Sequence, residues 1–151
     1  MESTLEIWKT SRNNYLQYFD KYTVDQLNKI PEGFNNNLIW NIGHVIVAQQ
    51  GLVYKSAGLP GYIPNEIAVL YSPGTKPTGL TSAKEMNELK GYLFSLIEQT
   101  ENDLASGTLS TYTPRTTALG FHLGSLQDAL EFNNYHEAMH FGSMLSIRKF
   151  V

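Results

Sequence analysis

Residues 125–147 read SLQDALEFNNYHEAMHFGSMLSI, and this stretch decides the fold class. Ala129, Phe132, Asn133, His136, His140, Ser143, Met144 and Ile147 recur at three- and four-residue spacing, the period of one face of an α-helix. Ser125 ahead of the run and Asp128 three residues on mark its start. A serine oxygen satisfies a free N–H of the first turn, and a carboxylate suits the positive end of the helix dipole.

Three upstream segments carry the same period, and none alternates as a strand would. Residues 82–106 open on Ser82 and Glu85, spaced for a capping box in which each side chain satisfies a backbone N–H. Ala83, Met86, Leu89, Leu93, Ile97, Thr100 and Leu104 then form one stripe, which absorbs the roughly 1 kcal/mol cost of Gly91 relative to alanine. Another helix runs from about Asn36 to Gly58–Leu59–Pro60–Gly61, where glycine and then proline stop it. On it Trp40, His44, Ala48 and Gly51 share a face, and the two small residues predict close approach by a neighbouring backbone. The first segment, Ser3–Asp20, has a Ser3/Glu6 box and a stripe of Leu5, Trp8, Tyr15, Leu16 and Phe19. Residues 23–30 predict a short extra turn before Pro31. Two long connections remain. The one over 58–81, rich in Gly, Pro, Ser, Thr and Tyr, predicts an ordered loop over one end of the domain; such loops are often functional, though a plain crossover would read the same way. The other spans 107–124. The expectation is one all-α domain over residues 1–151, a four-helix bundle with two long connecting loops.

Composition narrows the function. The 151 residues are 42% hydrophobic with net charge −3, ordinary for a globular chain. Lysines and arginines do not cluster, so a nucleic-acid surface is not expected. The absence of cysteine excludes disulfides, thiolate metal sites and a cysteine nucleophile. The N-terminus MESTLEIWKT shows no basic-then-apolar signal, and no apolar run approaches a membrane span. A cytoplasmic location and no membrane partner are therefore expected. Sixteen residues are tyrosine or phenylalanine (9 + 7), which is more than a ligand site needs, so most are read as packing.

There are four histidines. His136 and His140, four apart on one helix, place two imidazoles on the same side, one turn apart. His44 lies on the small-residue face of the second helix and joins them if those helices are neighbours. Three neutral imidazoles suit Zn²⁺, Ni²⁺, Cu²⁺ or Fe²⁺ with a position left open for water or substrate, the form of a reactive site. Two histidines four apart would serve equally as hydrogen-bonded residues at the edge of the core. His122, between Phe121 and Leu123, reads as a rim residue. Asn133, one turn before His136, and Trp40 are candidates to line the pocket. His136–Glu137–Ala138–Met139–His140 also spells the H-E-x-x-H of zinc proteases, in which the glutamate activates water. The small chain lacks the extended glycine- and histidine-bearing continuation and any edge strand to receive a peptide. Glu137 lies about 100° around the helix from His136, as a base, a partner of a ligand or a surface charge.

Trp40–Asn41–Ile42–Gly43–His44 resembles the W-x-x-G-H element on the second helix of the DinB-like superfamily, and His136–Glu137–Ala138–Met139–His140–Phe141–Gly142 resembles its C-terminal H-x-x-x-H-x-G element. The resemblance covers essentially the whole chain. It implies an up-down-down-up bundle, a homodimer, and a divalent metal, nickel or zinc with manganese or iron as further options, on His44, His136 and His140. Gly43 and Gly142 match small positions beside the ligands, whereas Ser143 stands where many members carry glutamine. Several relatives are similar to thiol S-transferases, which use low-molecular-weight thiols as cofactors. The reading that follows is a metal-dependent transferase acting on small molecules, with a thiolate at neutral pH attacking an electrophile under the 58–81 loop. In it Glu137 or Asn133 orients a ligand or moves a proton. Two alternatives stand beside it: a metal hydrolase with Glu137 as base, and a non-catalytic stress-response or ligand-binding module.

Overall fold

The helix LIWNIGHVIVAQQGLV, Leu38–Val53 (α3), is the one around which the others are arranged. In the computed structural model, which describes residues 2–151, α3 is buried on nearly every side. It is not the amphipathic helix its small-residue face suggested: a helix apolar all round is one that partners enclose. Asn37 caps it, accepting from the Trp40 N–H at 2.8 Å and donating to the carbonyl of Asn28 at 2.8 Å.

Three more long helices complete the frame: α1 (Glu2–Lys21), α5 (Ala83–Ala105) and α6 (Leu126–Ile147), with two short ones, α2 (Val24–Asn28) and α4 (Asn65–Leu70). The all-α expectation holds for a chain that is mostly helical. α6 and α5 pack on α3, and α1 packs on α5 and α6. Ser125 and Ser82 cap α6 and α5 as read, each accepting from the N–H three residues on, at 3.2 Å. The reciprocal half of the Ser82 box is missing, because the Glu85 carboxylate accepts from Tyr71 Oη at 2.6 Å. Ser3 does not cap α1: it lies inside the first turn, and Glu6 pairs with Lys9 at 3.3 Å. A complete box falls instead on Thr23 and Gln26, opening α2.

Two connections carry structure that period-reading could not find. α4 stands inside 58–81, following Pro64 without a side-chain cap. Six residues do not hold a helix alone; Ile67 anchors it in the main core. Residues 107–124 contain two two-residue strands, β1 (Arg115–Thr116) and β2 (His122–Leu123), paired antiparallel. Gly120, at φ 87°, makes the turn that a side chain would strain.

The main core gathers Tyr15, Leu38, Ile42, Leu89, Leu93 and Met144. Trp8, Val53, Tyr54, Ile97 and Leu130 form a second cluster. Of the stripe predicted for α1, Trp8 and Tyr15 are fully buried, Leu5, Leu16 and Phe19 partly so, and Arg12 and Tyr18 join the buried face. Among the described residues no helix is long and apolar enough to cross a membrane.

Candidate metal centre

α3 and α6 pack directly on each other, and this contact brings His44 to His136 and His140. The ring centroids are 5.2 Å (44–136), 4.6 Å (44–140) and 4.6 Å (136–140) apart. One ligand nitrogen from each lies within 4.8 Å of the others, so the three could hold a metal ion. His122 is exposed on β2 and stands outside this group.

Two of the rings have their protons assigned by neighbours. His44 Nδ1 lies 2.8 Å from the backbone oxygen of Tyr71. A carbonyl only accepts, so Nδ1 carries the proton and Nε2 is left free. His140 Nδ1 lies 2.8 Å from Asn41 Oδ1. The Asn41 amide nitrogen already donates to Asn36 Oδ1 at 3.0 Å and Asn37 O at 2.7 Å, so its oxygen accepts and His140 Nε2 is free as well. Such outer hydrogen bonds fix ring tautomer and orientation in metal sites. His136 Nδ1 is buried and finds no partner among the described residues. Trp40 stacks on His44 with centroids 4.8 Å apart and planes 9° from parallel.

Electrostatics also suit a cation ligand set. Burial lowers the pKa of all three rings; at His44 the Tyr71 hydrogen bond partly offsets it, while repulsion from neighbouring histidines adds to it at His136, lowered to about 4, and at His140, lowered to about 3. Desolvation disfavours the charged imidazolium. Three neutral imidazoles converging with no carboxylate between them therefore fit a divalent ion.

A cavity of about 770 Å³ opens onto the histidines, walled by α3, α6, residues 60–73 and the β1–β2 hairpin. Its size is that of a small-molecule site. Ala48 and Gly51 line it, and a Cβ on Gly51 would meet nothing within 4 Å. Their smallness makes room for the cavity instead of admitting a neighbouring backbone. Gly43 does serve close approach: a Cβ there would run into the Tyr71 ring. Gly142, the other small position beside a ligand, faces open space. Ser143 is exposed and donates back to Met139 O.

Neither Trp40 nor Asn133, expected to line the pocket, lines this cavity. Trp40 acts through its stack on His44. Asn133 is fully buried and donates to Glu137 Oε1 at 3.0 Å. Glu137 is fully buried too, gripped by Arg12 of α1: Nε lies 3.0 Å from both carboxylate oxygens and Nη2 2.8 Å from Oε1. The sequence signal for Arg12 is its place four residues after Trp8 and three before Tyr15, on the apolar stripe, where a charge requires a buried partner. Asn41 had a similar signal, a polar residue in an otherwise apolar helix. Tyr71 had none, since its carbonyl matters and not its side-chain type.

A sequence model of the DinB superfamily matches residues 7–144. A search of curated proteins finds no match. The matched span takes in α3 and α5 whole, most of α1 and α6, and each of the three converging histidines, and the chain accordingly belongs to the DinB superfamily.

Proposed function

We propose that this protein is a metal-dependent transferase of small molecules, of the thiol S-transferase type, with a divalent ion on His44, His136 and His140. One observation carries the reading: three neutral imidazoles converge where a small-molecule cavity opens. Three protein ligands leave a coordination position open, and a structural site would close it with a fourth. A divalent ion held by these three residues would supply Lewis acidity, which favours the thiolate form of a thiol near neutral pH. The chain has no cysteine, so the thiol comes from outside. Membership of a superfamily that typically binds metal supports the ion.

The chain's own residues hold and orient. Tyr71 O and Asn41 Oδ1 aim the rings of His44 and His140. Trp40 shields one face of His44 from water, and residues 60–73 roof the space where an electrophile would lie. For α1, α5 and α6, contacts at the helix faces support the up-down-down-up order implied by the family: Thr4 with Asn134 and Tyr15 with Phe141 run in step, whereas Lys9 with Glu101 and Asp20 with Lys90 run opposed.

The hydrolase reading requires a free base. Both oxygens of Glu137 accept from Arg12, and one also from Asn133, and the residue is fully buried and lines no part of the cavity. We assign Glu137 to structure.

Elemental analysis tests the site. Wild type should carry about one equivalent of a divalent metal, lost in His44→Ala and His140→Ala. Loaded protein should then conjugate low-molecular-weight thiols to electrophiles. No metal after adding back nickel, zinc, manganese or iron would sink the site. Metal without turnover would sink the transferase reading alone.

A further inference from the structure

The end of the cavity away from the histidines carries a chemistry of its own. Along α3, His44, Ala48, Gly51 and, just past the helix, Lys55 all line the cavity. Their spacings of four, three and four keep them on one face, and at about 1.5 Å per residue the stripe runs about 16 Å from histidine to lysine. Arg115 lines the cavity from β1. Its cross-strand partner is Leu123, and Leu123 packs with Leu52 and Phe132. Through Leu123, Arg115 joins the wall beside Phe132 and Leu52, and Leu52 lies three residues before Lys55. Both cations are exposed, and neither has an ion-pair partner among the described residues. No aspartate or glutamate lines the cavity. Between the two ends the walls are largely apolar, with Val47, Ile63 and Met139.

We propose that the cavity takes a small apolar molecule bearing one anionic group, a carboxylate, sulfonate or phosphate, held between Lys55 and Arg115 while the body lies along α3 towards the histidines. Two cations on the wall of one cavity that no carboxylate lines leave it net positive, and an anion relieves this. The guanidinium fork matches a planar or tetrahedral oxyanion in two-point contact. The apolar walls gain by taking the body out of water. The inference rests on the cavity being the substrate site of the proposed transferase, and it names the class of substrate.

Fluorescence titration of the full chain, freed of metal by chelation, with two probes tests it. One is 1-anilinonaphthalene-8-sulfonate; the other is N-phenyl-1-naphthylamine, the same body without the charge. Lys55→Gln with Arg115→Gln should weaken the sulfonate probe about fivefold and leave the uncharged probe unchanged. Gly51→Phe, whose side chain projects into the cavity, should abolish both. If the double variant weakens both probes alike or neither, or if binding ignores Gly51→Phe, the proposal is overturned. Because metal is removed first, its failure is separate from that of the metal site: elemental analysis would still find the ion in the wild type.

Discussion

Asn41 is the residue on which the geometry of the three-histidine group turns. It passes its own two amide protons to Asn36 and Asn37 and so presents an oxygen to His140. Asn41→Leu keeps the branched shape and removes the acceptor together with the two amide donors. Metal affinity should fall by roughly 10–100-fold, read by competition with a chromophoric chelator, while the helical signal stays. Unchanged affinity would show that the ring needs no such guide. Glu137 is the contrasting case. Its position in an H-E-x-x-H string suggested chemistry, and its surroundings make it one half of a fully buried ion pair. Glu137→Ala leaves Arg12 charged and uncompensated and should cost about 3–5 kcal/mol in urea unfolding. A loss under 1 kcal/mol would mean that water reaches Arg12.

At the scale of elements, the short helix α4 delivers a carbonyl. It ends at Tyr71, whose ring lies against Gly43 and whose backbone oxygen holds His44, while its hydroxyl reaches Glu85 at the start of α5. Gly43 and His44 are adjacent because one admits the residue that orients the other. Gly43→Ala forces the Tyr71 ring away, so it should destabilise by about 1–3 kcal/mol and weaken metal retention as well. Gly142→Ala meets open space on an exposed helical position and should stabilise by up to about 1 kcal/mol with metal binding intact. Thermal melts and metal content of the two variants side by side check this. Equal behaviour would remove the Tyr71 contact from the account. In the motifs both glycines are small positions, and only packing separates them.

Across the whole molecule, desolvation of three histidines ties stability to pH. In the unfolded chain each ring takes a proton near pH 6.5, whereas in the folded metal-free protein His136 does so only near 4 and His140 near 3. Below 6.5 the unfolded state therefore binds more protons, and stability falls as pH drops through this window, being fully present above it. The chelated wild type should lose melting temperature between pH 6.5 and 4 more steeply than a His136→Gln, His140→Gln variant. Equal slopes would place the rings in water. The helical periods, the serine caps of α5 and α6 and the spacing of His136 and His140 were legible because each is local, set by neighbours three or four residues away. The all-α class and the three candidate ligands follow from such patterns and from the two family-like elements. What the sequence could not decide depends on residues far apart in the chain: Arg12 meeting Glu137, the Tyr71 carbonyl meeting His44, Asn133 turning from the cavity, and α4 and the β1–β2 hairpin forming at all. Burial in a shared interior selects these, since a charge or a free N–H removed from water is held only by whichever partner the packed helices bring within reach.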